Sequence, residues 1–199
     1  MKGKLVLKAV VIFCISTFTV TSATAGPFGL YMGMKISEFK GTLKEIKPHV
    51  YRTSEVPKKH SAFEYYILRF GPESGLYYIK AIGSDISTNS YGREVLDEFN
   101  SMEAKLEKIY EKHKRLDFVM HESIWKEERD WMPGLVRNER VLSALWTEED
   151  GSELKDDLNT VCLTARGANR NTGFLVVEYL FSNQQKCEVE IEAAEDGAL

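Results

Sequence analysis

The segment 63–82 constrains the fold of this chain more than any other part of the sequence. Its first eight residues read FEYYILRF, a turn cluster occupies residues 71–75, and LYYIKAI follows the turn. Aromatic and β-branched residues on both sides of a turn that contains Gly and Pro predict an antiparallel β-hairpin. A turn centred on Glu73 would place Leu68 opposite Tyr78.

Both faces of this predicted hairpin are apolar or aromatic. One face would carry Tyr66, Leu68, Phe70, Leu76 and Tyr78, and the other Phe63, Tyr65, Ile67, Tyr77 and Ile79. A half-solvated antiparallel sheet has one polar side, so either both faces are packed or one face receives a partner. Tyrosine suits the second reading because its ring supplies contact area and its hydroxyl a polar tip. The candidate binding surface comprises Tyr65, Tyr66, Tyr77 and Tyr78.

Further strands and three helical segments are predicted in the rest of the sequence. The strands occupy residues 50–53, 141–147, 159–166 and 173–181. Apolar residues recur at helical spacing within 37–47, 92–113 and 122–138, and Pro133-Gly134 interrupts the last of these segments.

These elements predict an α+β fold. About five to six strands in antiparallel β meanders would pack against a central block of two helices. We expect a single domain over residues 26–199; an alternative has two lobes, about 26–90 and 139–199, joined by the helices of 92–138. The repeated order of one helix and three strands is compatible with a degenerate duplication of an αβββ unit.

Residues 1–25 have the three-part layout of a secretory signal peptide. Three lysines precede an apolar run of about 12 residues, and Ala23-Thr24-Ala25 places cleavage after Ala25. A membrane anchor would need roughly 20 apolar residues, and Cys14 lies in the middle of the run rather than at a lipidation site. We therefore expect a periplasmic or secreted protein whose mature chain has no transmembrane segment.

The charge balance argues against nucleic-acid binding. The whole chain carries a formal charge of −4, and the leader contains three lysines and no acid, so residues 26–199 carry −7. Proteins that bind nucleic acids neutralise phosphates with clustered Lys and Arg, and this sequence has no basic block.

Two cysteines remain after removal of the leader, Cys162 and Cys187. An even number in an oxidising compartment favours one disulfide. Alternation along residues 160–165 places Cys162 on the same face as two threonines, where a crossing segment could reach it. The alternative is a pair of buried free thiols.

No sequence motif indicates catalysis or a cofactor. His113, Asp117 and His121 are spaced so that one unbroken helix would align them as a candidate metal site. Nucleophile elbows, phosphate-binding loops and zinc-protease motifs do not occur in the sequence. We therefore expect no cofactor and favour a protein that is not an enzyme, with a small periplasmic hydrolase as an alternative.

The stretch FGLYMGM at residues 28–34 resembles a motif of bacterial envelope lipoproteins related to the assembly factor BamE. In that family a Gly-Met-Ser/Thr motif starts the helix of a small αββ domain. Gly33-Met34 match the motif, whereas Lys35 replaces Ser or Thr and the lipidated cysteine is missing. The resemblance covers about residues 28–82 and implies a protein-binding envelope module.

The sequence as a whole predicts an exported binding protein that acts on an envelope protein or peptide. A module that binds a small molecule in a helix–sheet groove is one alternative. An inhibitor or immunity-type protein that blocks a partner enzyme is another, because acidity and a disulfide are compatible with it.

Overall fold

The fold is built on one antiparallel sheet of nine strands. The structure is a computed structural model that describes residues 26–197. Its elements are β1 (Lys44–Lys47), β2 (Val50–Thr53), β3 (Phe63–Gly71), β4 (Gly75–Gly83), β5 (Ile86–Ser87), α1 (Arg93–Tyr110), β6 (Lys114–Val119), α2 (Trp131–Val136), β7 (Arg140–Thr147), β8 (Leu158–Asn169), β9 (Thr172–Phe181) and α3 (Gln184–Asp196). The strand order is β1-β2-β3-β4-β9-β8-β7-β6, with β5 beside β9. The predicted α+β class is confirmed, with more strands than expected.

Two meanders meet at the centre of this sheet. The strands β1 to β4 and β6 to β9 each follow chain order, and their last strands pair, with Tyr78 opposite Leu180 and Ile82 opposite Val176. Strands from residues 26–90 and 139–199 therefore belong to one continuous sheet. Two copies of a meander related by a two-fold axis would give the same arrangement.

The helices α1 and α2 cover one side of the sheet, which we call the covered face. The buried apolar residues of α1 lie at helical spacing: Val95, Phe99, Met102, Leu106 and Tyr110. They share one core with alternate residues of β8 and β9, such as Leu163 and Val177. Fully burying a large apolar side chain contributes about 1.5–3 kcal/mol, so this face drives the formation of the predicted central helix.

The C-terminal helix α3 packs against the turn of the β3–β4 hairpin. A Cβ atom at Gly71 would lie 2.7 Å from the Cys187 Sγ atom, so the helix and the turn are in close contact. Glu190 accepts hydrogen bonds from the backbone N–H groups of Ser74 at 2.8 Å and Glu73 at 3.0 Å. Tyr77, which lies close to Cys187, is 5 % exposed although it is outside the main core.

The helix predicted at residues 37–47 is absent. Ile36–Glu38 forms a short 3-10 turn, and Lys44–Lys47 is strand β1, which pairs with β2. Gly41 lies between them with a φ of +154°, a backbone conformation that does not occur in a helix. Helical spacing at three positions was too short a pattern to outweigh that glycine.

The second central helix is shorter than predicted. The residues that precede the predicted helix at 122–138 form strand β6, whose residues Lys114 to Val119 pair with β7. Pro133 lacks an N–H group and is tolerated only in the first turn of a helix, so α2 begins at Trp131 instead of near residue 122. Among residues 26–197, no helix combines the length and the apolarity needed to cross a membrane.

Candidate functional site

The side of the sheet opposite α1 and α2 is the candidate functional site, and we call it the open face. Side chains alternate along a strand, so the strand pairings identify the residues on this side. One row comprises Tyr65, Ile82, Val176, Thr164, Ser143 and Leu116. The next comprises Lys44, Arg52, Ile67, Lys80, Glu178, Cys162, Leu145 and Lys114. The outer rows comprise Val50, Arg69, Tyr78, Leu180, Thr160 and Thr147, and at the other end Phe174 and Arg166.

Several apolar side chains on the open face are only partly buried, although Val176 in the central row is 2 % exposed. Ile67, Ile82 and Leu180 retain intermediate exposure, whereas Ile79 and Val177 on the covered face are fully buried. Long polar neighbours provide the remaining cover, since Lys and Arg stems pack along apolar surface while their charged ends stay in water. The open face is therefore a mixed surface, with apolar area available between charged groups.

The open face is rich in positive charge although the chain is acidic. Its cations include Lys44, Arg52, Arg69, Lys80, Lys114 and Arg166, together with Lys47, which pairs with Val50 of the outer row. The ladder positions facing this side carry one carboxylate, Glu178. The first six cations come from six different strands, so no single segment of the sequence contains the cluster. Sequence reasoning missed this cluster for that reason: only the strand order and register bring the six together.

Two arginines of the open face stack on tyrosines. The Arg52 Cζ atom lies 3.9 Å from the centre of the Tyr65 ring. The Arg69 Cζ atom lies 4.6 Å from the centre of the Tyr78 ring. Each contact is worth about 0.5–1 kcal/mol at an exposed site and restricts the guanidinium group. Stacking uses the flat face of the guanidinium, which leaves its N–H donors available to a carboxylate.

The Glu178 carboxylate already has two partners on the open face. Its Oε1 atom lies 3.2 Å from the Lys80 Nζ atom, and the Tyr78 hydroxyl donates a hydrogen bond to the same carboxylate. Burial raises the pKa of Tyr78, and the hydrogen bond to Glu178 raises it further. Tyr78 therefore stays protonated at neutral pH and keeps Glu178 engaged. The other cations form no ion pair with a carboxylate among residues 26–197.

The four predicted surface tyrosines do not lie together. Tyr65 and Tyr78 are partly exposed on the open face, whereas Tyr66 is fully buried in the core and Tyr77 is covered near α3. Tyr65 and Tyr66 are consecutive residues of β3, so strand alternation places them on opposite faces. A register shift between Arg69 and Phe70, which no sequence pattern indicated, decides the positions of Tyr77 and Tyr78. Because of this bulge, Leu68 lies opposite Ile79 and not opposite Tyr78, and both Tyr77 and Tyr78 leave the main core.

The predicted disulfide is absent, and the expectation for Cys162 and Cys187 is corrected: both are free in the structure. Cys162 of β8 pairs with Glu178 of β9, which pairs with Lys80 of β4, so Cys162 and Lys80 lie in the same row. Cys187 contacts the carbonyl of Gly75, which lies five residues before Lys80 on β4. Five strand residues span about 17 Å, and a disulfide requires Cα atoms within about 7 Å. Burial raises the pKa of both thiols.

The candidate metal residues His113, Asp117 and His121 are also separated. The helix that would have aligned all three residues is absent, and Asp117 belongs to strand β6. A spacing of four residues spans about 13 Å along an extended strand, so residues at this spacing do not come together. Each has another contact: the His113 Nε2 atom lies 3.0 Å from Glu103, Asp117 accepts a hydrogen bond from Arg140 at 3.3 Å, and the His121 carbonyl accepts one from Lys126. The described residues contain no cluster of three or more His, Cys, Asp or Glu side chains that could hold a metal ion.

No family model matches this chain, and neither a curated protein nor a solved structure matches it. The resemblance to BamE-related domains implied a helix directly after Gly33-Met34. The structure instead has the turn Ile36–Glu38 and five strands before α1, so the αββ order is not present at residues 28–82.

Proposed function

We propose that this protein is an exported, non-catalytic binding protein that receives an acidic segment of an envelope protein or peptide on its open face. The observation that carries the proposal is the set of cations without a carboxylate partner, placed beside half-buried apolar side chains. The charge of the chain outside the leader is −7, so this concentration of positive charge is a local feature.

Charge complementarity favours an acidic partner. Arg52 and Arg69 present guanidinium groups that tyrosines hold in place, and a restricted guanidinium loses less entropy when it binds a carboxylate. Long-range attraction to the cations would steer an acidic segment to this face and discriminate against basic segments. The preference should weaken as ionic strength rises.

Apolar area supports a polypeptide partner. Ile67 lies next to Lys80 in one row, and Ile82 lies opposite Tyr65 in the adjacent row; Leu145 lies four strands from Ile67, beside Lys114. An acidic segment with alternating apolar residues could pair its carboxylates with the arginines and bury its apolar side chains on these residues. Protein interfaces combine an apolar centre and aromatic residues with a polar rim in this way.

The reactive groups of the open face favour binding over chemistry. Cys162 has a thiol whose pKa is raised by burial, which lowers the fraction of nucleophilic thiolate at neutral pH. Glu178 is held by Lys80 and Tyr78 and is not free to act as a base. Export, which rests on the leader, would place this surface in the envelope.

A crosslinking experiment tests the proposal in cells. A photoreactive benzoylphenylalanine replaces Ile67 on the open face, and a matched control carries it at Ile124, which is 79 % exposed and belongs to no strand. We expect Ile67 to give one discrete protein adduct that Ile124 does not give. The double variant Arg52→Glu with Arg69→Glu should lose that adduct, while Arg129→Glu should retain it. Adducts with lipid alone, or equal adducts from both sites, would contradict the proposal.

A binding measurement on the purified mature protein isolates the charge dependence. The probe is a fluorescent peptide of alternating Glu and Leu, and a peptide of alternating Lys and Leu is its control. We expect saturable binding of the acidic peptide only, weakened by salt and by the Arg52→Glu and Arg69→Glu changes. Equal binding of the two peptides would show that the cations do not select the partner.

A further inference from the structure

A second feature, independent of the open face, is a cavity on the covered side of the sheet. It has a volume of about 370 Å³ and lies between the start of α1, the segment before α2, and β7. Its lining residues are Tyr91, Arg93, Leu96, Lys126, Glu128, Trp131 and Arg140. The lining thus combines three cations, one carboxylate and three apolar or aromatic side chains.

Trp131 forms a fixed wall of this cavity. Its side chain is 8 % exposed, and the backbone N–H of the next residue, Met132, donates to the Ser90 carbonyl at 3.0 Å. Gly92 lies directly against the ring: a Cβ atom there would be 2.0 Å from the Trp131 Cε3 atom. Because the indole ring is held from two sides, a ligand would meet a surface that is already in place.

Arg140 is the most buried cation of the cavity. Its side chain is 14 % exposed, and its Cζ atom lies 6.0 Å from the centre of the Trp131 ring. One amino group donates to Asp117 at 3.3 Å, and the Nε atom is buried without a hydrogen-bond partner among the described residues. Buried polar atoms without a partner are uncommon in folded proteins, so this guanidinium has unused hydrogen-bonding capacity.

The remaining charges of the cavity are unevenly balanced. Arg93 and Lys126 are exposed at its mouth, and Lys126 donates to the His121 carbonyl at 2.9 Å, which positions its ammonium group. Glu128 is the one carboxylate in the lining. Each cation favours an anion, and a guanidinium group can bind a carboxylate through two parallel hydrogen bonds.

We infer that this cavity binds a small organic carboxylate with an aromatic body. Its carboxylate would pair with Arg93 and Arg140, and its ring would pack on Trp131, Leu96 and Tyr91. An inorganic anion would leave the apolar walls unused, and an uncharged aromatic molecule would leave the Arg93 guanidinium and the buried Arg140 Nε atom without a partner. A pocket with an apolar lining and a few placed polar groups is typical of sites for molecules of this size.

Chemical-shift mapping with a matched pair of probes tests the inference. Indole-3-acetate is the probe, and indole-3-acetamide, which has the same ring without the charge, is the control. Amide resonances of the mature protein are followed during titration of each compound. We expect saturable shifts confined to residues near 91–96, 126–131 and 140, with affinity for the acid about tenfold higher than for the amide.

Two exposed arginines provide matched variants. Arg93→Gln removes a cation of the cavity, and Arg129→Gln removes an arginine that is 66 % exposed, pairs with Glu127 and does not line the cavity. We expect Arg93→Gln to weaken binding of the acid about tenfold and to leave binding of the amide unchanged, and Arg129→Gln to have no effect. No saturable binding of indole-3-acetate at millimolar concentration, or equal affinities for acid and amide, would overturn the inference.

Discussion

Lys80 and Glu178 lie opposite each other on β4 and β9, at the junction of the two meanders, and their charged atoms are 3.2 Å apart. This pair neutralises the one carboxylate in the ladder positions of the open face. The other cations form no ion pair with a carboxylate among the described residues, and Glu64 is the acid that lines a cavity together with Lys44 and Arg52. Cations therefore outnumber carboxylates on this face of an acidic protein.

Glu178→Gln should strengthen binding of the acidic peptide. The change removes the negative charge and releases Lys80, while the glutamine carbonyl can still accept the hydrogen bond from the Tyr78 hydroxyl. We expect the affinity to rise about two- to fivefold at low salt, since a partly exposed ion pair contributes less than about 1 kcal/mol. Fluorescence anisotropy at two ionic strengths measures the effect. A loss of affinity would mean that the partner does not use the charge of this face.

Gly92→Ala should destabilise the protein by about 3 kcal/mol or more. Gly92 has a φ of +66°, and an added Cβ atom would overlap the Trp131 ring at 2.0 Å. Gly151→Ala is the matched control, because φ there is +82° and the nearest atom to the added Cβ is a Lys112 side-chain carbon at 3.6 Å. We expect the control to cost only about 1 kcal/mol. Urea denaturation of both variants distinguishes the steric effect from the backbone effect, and equal losses would contradict it.

Glu190→Gln should make the stability of the protein less sensitive to acid. Burial disfavours the charged form of Glu190, but hydrogen bonds from Ser74 and Glu73 outweigh it and lower the pKa of this carboxyl. A carboxyl with a lowered pKa in the folded state stabilises the fold above the unfolded-state pKa of about 4.3. That stabilisation is lost as the pH falls through the folded-state pKa.

Free energies of unfolding, measured from about pH 6 to about pH 3, should therefore fall less steeply in Glu190→Gln than in the unchanged protein. Glu192→Gln is the control, because Glu192 is exposed on the same helix and accepts no hydrogen bond from the hairpin turn. Parallel curves for Glu190→Gln and the unchanged protein would argue against a role for this cap in acid stability.

The two cysteines should react as free thiols after denaturation. Residues 26–199 contain Cys162 and Cys187, and their positions on the fold are too far apart for a bridge. Denatured, unreduced protein should consume two equivalents of a thiol reagent, and Cys162→Ser should consume one. In the native protein Cys187 should react more slowly, because it is fully buried and Cys162 is partly exposed. Thiol release only after reduction would restore the disulfide hypothesis.

Much of the strand content follows from local patterns. The segments around β3, β4, β8 and β9 are rich in β-branched and aromatic residues and lie between turn sequences, and the structure contains all four. The central helix was predictable because apolar residues from Val95 to Leu106 recur at one face over several turns. The errors at 37–47 and 122–138 fall where Gly41 permits a non-helical backbone conformation and where Pro133 restricts the backbone.

The candidate site was much less predictable. A single residue of bulge between Arg69 and Phe70 changes which tyrosines share a face, and sequence spacing does not reveal a bulge. The cations of the open face come from six strands, so most of them become neighbours only through the strand order. Likewise, the cavity beside Trp131 joins the start of α1 with β7, two elements that are separated by β6 and α2 in the chain.

The sequence by itself determined the fold class, the antiparallel hairpins and the central amphipathic helix, because these depend on spacing within about twenty residues. It also determined the acidic character of residues 26–199. Only the tertiary structure decided that β4 and β9 pair, that Cys162 and Cys187 stay apart, and that six cations share one face. Those outcomes depend on strand order and register, which are selected by the burial of the whole core and not by any local pattern.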